Sequence, residues 1–98
     1  MANNDKTVDI SEKDFEKTIN SKDKQAVVVD FYAEWCMPCL MLAPVIEELA
    51  SKLKTIKFAR VNVAENKALS GKFNITSIPC LIVFKDGKEV ERITGALP

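Results

Sequence analysis

An apolar run rich in β-branched residues, Ala26-Val27-Val28-Val29-Asp30-Phe31-Tyr32, is followed four residues later by Cys36 and an amphipathic pattern. A run with no polar alternation has no face to give to water, so it predicts a central strand buried on both sides. Only Asp30 breaks it. Such a strand needs helices above and below its sheet, which limits the chain to layered α/β arrangements.

The flanking patterns supply those layers. Thr7 to Ile10 reads as a short strand, and Ser11 with Asp14 resembles a helix N-cap opening a helix through Ile19, with Phe15 and Ile19 toward the core. From Pro38 to Leu53, the residues Leu42, Val45, Ile46, Leu49 and Leu53 recur at helical spacing, with Pro44 expected to kink the helix. Ile56 to Val63 is a further strand, and Asn66 to Phe73 a weaker, shorter helix. Leu81 to Phe84 is an apolar strand joined by Asp86-Gly87, a hairpin turn pair, to Lys88 to Thr94. The order is βαβαβαββ, an α/β chain with a mainly parallel sheet and an antiparallel closing edge. At 98 residues it is one domain, 1–98, without repeat or linker.

Charge and composition remove several function classes. Fourteen basic and fourteen acidic residues cancel, and neither sign is concentrated, so no nucleic-acid face and no membrane-binding stripe is expected. The polar start, Met1 to Lys6, lacks the apolar segment of a secretory signal, and no stretch is long enough to span a membrane. The expectation is a soluble, cytoplasmic protein. There is no histidine, so any acid-base work falls to carboxylates, thiols or water.

Three cysteines, Cys36, Cys39 and Cys80, are too few for a disulfide scaffold in a chain that builds its own core. Chemistry explains them better. In Trp35-Cys36-Met37-Pro38-Cys39 two cysteines three apart follow a buried strand and start a helix, so both lie on one side of its first turn and can close a small disulfide ring. The helix dipole and unpaired amides there favour an anion, so Cys36 should ionise more readily than a free thiol, whose pKa is about 8.5. Pro38 suits an early helical position because it needs no amide partner, and Trp35 would form an apolar wall. The other reading of a Cys-x-x-Cys is half a zinc site, but a second cysteine pair and histidines are both lacking.

The motifs Val-Val-Asp-Phe-Tyr-Ala-Glu-Trp-Cys-Met-Pro-Cys, Ala43-Pro44, Ile78-Pro79 and Phe84-Lys85-Asp86-Gly87-Lys88 together resemble the thioredoxin family, from about Val8 to Gly95. The resemblance implies a thioredoxin-like fold and a protein-disulfide reductase that needs no cofactor beyond its redox-active cysteine pair. It makes Cys36 the attacking thiol, Cys39 the buried resolving thiol and Asp30 the carboxylate behind Cys39. Asp30 also has a physical case: a carboxyl in so apolar a strand should have a raised pKa, which suits proton exchange, unless it only accepts backbone donors. Arg60 stands where the family has a lysine, and either tunes Asp30 or is a solvated charge with a packed stem. The family's matching proline is cis and borders the dithiol, which assigns Ile78 and Pro79, with Trp35, Met37, Pro38 and Gly95, to substrate binding; Tyr32 would complete the rim. The implied partners are disulfide-bearing proteins and a thioredoxin reductase or equivalent electron donor.

The chain also departs from the family. Met37 replaces the usual glycine and Leu40 a common lysine, both making the lip more apolar. Cys80 follows Pro79 where threonine is usual, which would put a third sulfur close to the dithiol; it is either an inert core residue or an extra redox or metal ligand. An iron-sulfur or metal module using Cys36, Cys39 and Cys80 would need a further ligand, such as one from a second copy. The family's final amphipathic helix is absent after Gly95, so apolar positions on the Ile56 and Leu81 strands should be partly bare, a patch that would invite a homodimer. A third reading has the Trp35 and Pro79 surface as a docking face with redox incidental.

Overall fold

A computed structural model describes residues 7–20 and 25–95. The polar start at Met1 to Lys6 and the last residues, Ala96 to Pro98, lie outside them. The elements are β1 (Thr7–Asp9), α1 (Glu12–Ile19), β2 (Ala26–Tyr32), α2 (Met37–Lys52), β3 (Ile56–Asn62), α3 (Lys67–Lys72), β4 (Cys80–Lys85) and β5 (Lys88–Thr94). They form one five-stranded sheet in the order β1-β3-β2-β4-β5, with helices on both faces.

The element order and a mixed sheet are what the sequence predicts, but parallel and antiparallel pairings are equal in number rather than mainly parallel. β3 pairs in parallel with β1 and β2, whereas β4 is antiparallel to both β2 and β5. The cause is the α3 connection. Six helical residues rise about 9 Å, too little to recross a seven-residue strand of about 23 Å. The chain therefore turns back at the end of the sheet where β3 finishes.

One face of β2 carries Val27, Val29 and Phe31, all buried with Ile82, Phe84 and Cys80 against α1 and α3. Phe15, Phe31, Phe73 and Phe84 form the heart of this layer; Phe15 and Phe84 meet edge to face with ring centres 5.6 Å apart. The other face carries Phe58 and Leu81 beneath Ile46 and Ala50 of α2. Asp86 and Gly87 both have positive φ, 52° and 78°, as the two-residue hairpin between Lys85 and Lys88 requires.

Three local expectations need correction. Ser11 takes the N-cap position of α1 without a side-chain cap bond; the Glu12 amide instead donates to Asn66 Oδ1, 3.1 Å away, tying the start of α1 to the cap of α3. In α2, Ile46, Ala50 and Cys39 are buried, while Val45, Leu49 and Leu53 of the expected stripe are exposed. Pro44 lies inside α2, which continues past it to Lys52. On the sheet, Leu81 is buried and Ile56 half-buried, because α2 covers that end; the large apolar residues exposed on it are Val8 on the edge strand β1 and Val90 and Ile93 on the edge strand β5.

Candidate functional site

β2 ends at Tyr32 and the chain reaches Cys36 through Ala33, Glu34 and Trp35. Cys36 is the N-cap of α2 in an extended conformation, and Met37 and Pro38 begin the helix. This places Cys36 and Cys39 on one side of the first turn, with Cα atoms 5.2 Å apart and their sulfurs joined as a disulfide. Cys36 is 6% exposed and Cys39 1%, so Cys36 is the more open of the two buried residues.

The start of α2 shapes the surroundings of the same sulfur. The Cys39 amide points at Cys36 Sγ from 3.2 Å, and no acidic side chain occupies the first turn of α2. Once the disulfide is reduced, a bond from this otherwise unpaired helix amide, together with the dipole, would favour an anion at that sulfur. Pro38 offers no amide there, which leaves Cys39 as the donor.

The chain after α3 supplies the opposite wall. Ile78-Pro79 is a cis peptide bond, and the Ile78 carbonyl oxygen lies 3.9 Å from Cys36 Sγ. Ile78 packs against the cluster of Tyr32, Ala33, Cys36 and Cys39. Gly95 donates its amide to the Pro79 carbonyl at 2.9 Å, and its φ of 87° is one that a side chain would strain. Trp35, Met37, Leu40 and Met41 stand exposed around this centre, an apolar lip with Trp35 the most open at 76%.

Asp30 lies on the sheet face covered by α2, paired across the ladders with Arg60 on one side and Leu81 on the other. It is 1% exposed, and neither carboxyl oxygen has a hydrogen-bond partner among the described residues. Burial pushes its pKa from 3.8 up to about 6, partly offset by Arg60, whose Nε is 3.8 Å from Asp30 Oδ2, and reinforced by Asp9. Backbone satisfaction is therefore not what this carboxyl does.

Tyr32 differs from expectation, and Cys80 takes the core position that one of its two readings gives it. Tyr32 is a buried wall rather than part of an open rim: its hydroxyl donates to Asp9 Oδ1 at 3.0 Å and its ring lies 3.8 Å beneath the Arg60 guanidinium. Burial first, and then the charge of Asp9, push its hydroxyl up to about 12. Cys80 pairs across the ladder with Phe31, so it faces the α1 and α3 core and belongs to a different buried cluster from the dithiol. Its Sγ lies 3.8 Å from Thr94 Oγ1. Among the described residues no group of three or more cysteine, aspartate or glutamate side chains is arranged to hold a metal ion. Asp9 went unnoticed in the sequence, where a carboxylate at the end of a three-residue strand carries no pattern.

Comparison with known proteins agrees with this geometry. Residues 6–98 match the family model described as Thioredoxin. The chain is 46% identical to a thioredoxin of Chlorobaculum thiosulfatiphilum, over 95% of this chain and 86% of that protein. It is 43% identical to a thioredoxin of Mycobacterium bovis, over 92% of this chain and 78% of that one. The solved thioredoxin of Fasciola hepatica superposes with a TM-score of 0.86 at 41% identity, covering 93% of this chain and 88% of that structure. On the match of the family model over most of the chain and the identity to relatives covered almost from end to end, the chain belongs to the thioredoxin family, whose members are protein-disulfide oxidoreductases.

Proposed function

We propose that this protein reduces the disulfides of other proteins, with Cys36 as the attacking thiol, Cys39 as the resolving thiol and Asp30 as the proton acceptor. The observation that carries the order of attack is the Cys39 amide aimed at Cys36 Sγ, the more exposed of the two sulfurs. The Cys36 thiolate attacks one sulfur of the target, forming a mixed disulfide and releasing the target's other sulfur as a thiolate. Cys39 then loses its proton and attacks Cys36; the target leaves as a dithiol, and Cys36 and Cys39 become the disulfide. Two electrons pass to the target and none to a cofactor.

Asp30 suits the second step. With a pKa of about 6 it is mostly ionised at neutral pH, yet it is a stronger base than an ordinary carboxylate, so it can take the Cys39 proton through an intervening water. Trp35, Met37 and Pro38 on one side and Ile78, Pro79 and Gly95 on the other would hold an extended substrate segment across Cys36, the backbone groups of Ile78 adding it as a strand. Arg60 modulates Asp30, and Cys80 takes no part. A thioredoxin reductase or an equivalent donor would restore the dithiol in a reducing, cytoplasmic setting.

The test is covalent trapping. Cys39→Ser incubated with an oxidised protein substrate should accumulate a mixed disulfide through Cys36 that dithiothreitol releases. Accumulation through Cys39 in Cys36→Ser, with none through Cys36, would reverse the assignment.

A further inference from the structure

Arg60 has two neighbours that could claim its charge, and it is held by neither in the usual way. Asp9 and Asp30 flank it in register on β1 and β2, yet the nearest carboxyl approach among the described residues is Nε to Asp30 Oδ2 at 3.8 Å, and Nε has no hydrogen-bond partner there. Asp9 is occupied instead by the Tyr32 hydroxyl, 3.0 Å away. What lies under the guanidinium is the Tyr32 ring, with Cζ 3.8 Å from its centre. A guanidinium over an aromatic face is held by the ring's quadrupole and by stacking, and a ring whose hydroxyl is tied down cannot swing aside.

We propose that Tyr32, anchored by Asp9, is a positioning residue that holds the Arg60 guanidinium beside the buried Asp30 carboxyl and so sets the pH at which Asp30 can accept a proton. The inference rests on the reading of Asp30 as proton acceptor and adds the device that regulates it. The charged and titratable groups around Asp30 are few. Arg60 comes from β3, Asp9 from β1 and Tyr32 from β2 itself, while β4 places Leu81 opposite. On α2, the helix that covers this face, Glu47 accepts the Thr7 hydroxyl and the remaining thiols are the Cys36 and Cys39 pair. Among the described residues Arg60 is thus the one cation on this face that lowers the carboxyl's pKa, and where it sits decides by how much.

The ring is the part that matters. Tyr32→Leu keeps apolar bulk and removes the aromatic face; Arg60 then turns to solvent and the Asp30 midpoint rises by about one pH unit, as expected when a charge leaves close range. Tyr32→Trp retains a face and should restore most of the original value. In an Arg60→Met background, Tyr32→Leu should move the midpoint far less, because the charge it positions is gone. The readout is the Asp30 side-chain carbon shift followed by NMR through pH 4 to 9 in the oxidised protein.

That titration does not depend on turnover. If Asp30→Asn leaves the exchange rate and its pH profile unchanged, the proton-acceptor role fails while the positioning of Arg60 stands. An unchanged Asp30 midpoint in folded Tyr32→Leu, or an equal shift in the Arg60→Met background, overturns the positioning role itself. Should Tyr32→Leu fail to fold, the intact protein decides: Arg60 δ-protons shifted upfield by the ring support the stacking, and δ-protons at their solvent-exposed positions refute it.

Discussion

Asp30 and Arg60 lie directly across the β2–β3 ladder, 3.8 Å apart at their nearest atoms, with no hydrogen bond between them. The ion pair is therefore too loose to cancel the cost of burying the carboxylate, and the carboxyl's pKa stays above its ordinary value.

That imbalance predicts how stability depends on pH. The folded-state pKa of about 6 exceeds the unfolded value of 3.8, so the folded chain binds the proton more tightly. Asp30's contribution to stability is greatest below pH 3.8 and falls as pH rises toward about 6. A shift of this size corresponds to about 3 kcal/mol. Asp30→Asn should accordingly be more stable than the parent at pH 8, by up to about 3 kcal/mol, with little difference near pH 4. Urea unfolding at the two pH values measures it. An equal difference at both would mean that ionisation of Asp30 is not the cause.

Trp35 makes the opposite kind of prediction, since it is 76% exposed and contributes little to the fold. Trp35→Ala should leave unfolding free energy within about 0.5 kcal/mol. If Trp35 anchors substrate beside Cys36 as proposed, its loss should raise KM for a protein disulfide about tenfold, about 1.4 kcal/mol, with kcat little changed. Steady-state kinetics on one protein substrate separates the two effects. A fall in kcat at constant KM would place Trp35 in the chemical step instead.

Cys80 packs in a buried cluster separate from that of the dithiol, so its substitution should affect folding and spare exchange. Cys80→Ala removes one buried atom from a packed site and should cost about 1 kcal/mol of stability. The exchange rate should stay within twofold of the parent where both are fully folded. Loss of rate without loss of fold would return Cys80 to the redox cycle.

Most of the site could be read from the sequence because its signals are local. The dithiol, its place after a buried strand and the lone carboxyl in Ala26 to Tyr32 are all patterns within one short segment. What could not be read were relationships between segments. The contact of Tyr32 with Asp9 and Arg60 joins three strands, and only register brings them together. Spacing misplaces the buried face of α2 because Met37, Leu40, Met41, Val45, Ile46 and Leu49 put apolar groups around most of its circumference. With that surplus, spacing cannot tell Ile46 and Ala50, which meet Phe58 and Leu81, from Val45 and Leu49, which face outward. The direction of β4 escaped for a related reason: strand and helix alternation predicts parallel crossovers, and the shortness of α3 overrides it.

The most direct test of the account is the dithiothreitol-driven reduction of a protein disulfide by the parent chain, Cys36→Ser and Cys80→Ser at equal concentration, each verified as folded. The account predicts catalysed turnover by the parent, retention in Cys80→Ser and loss to the uncatalysed rate in Cys36→Ser. Turnover surviving in Cys36→Ser, or none from the folded parent, would contradict it.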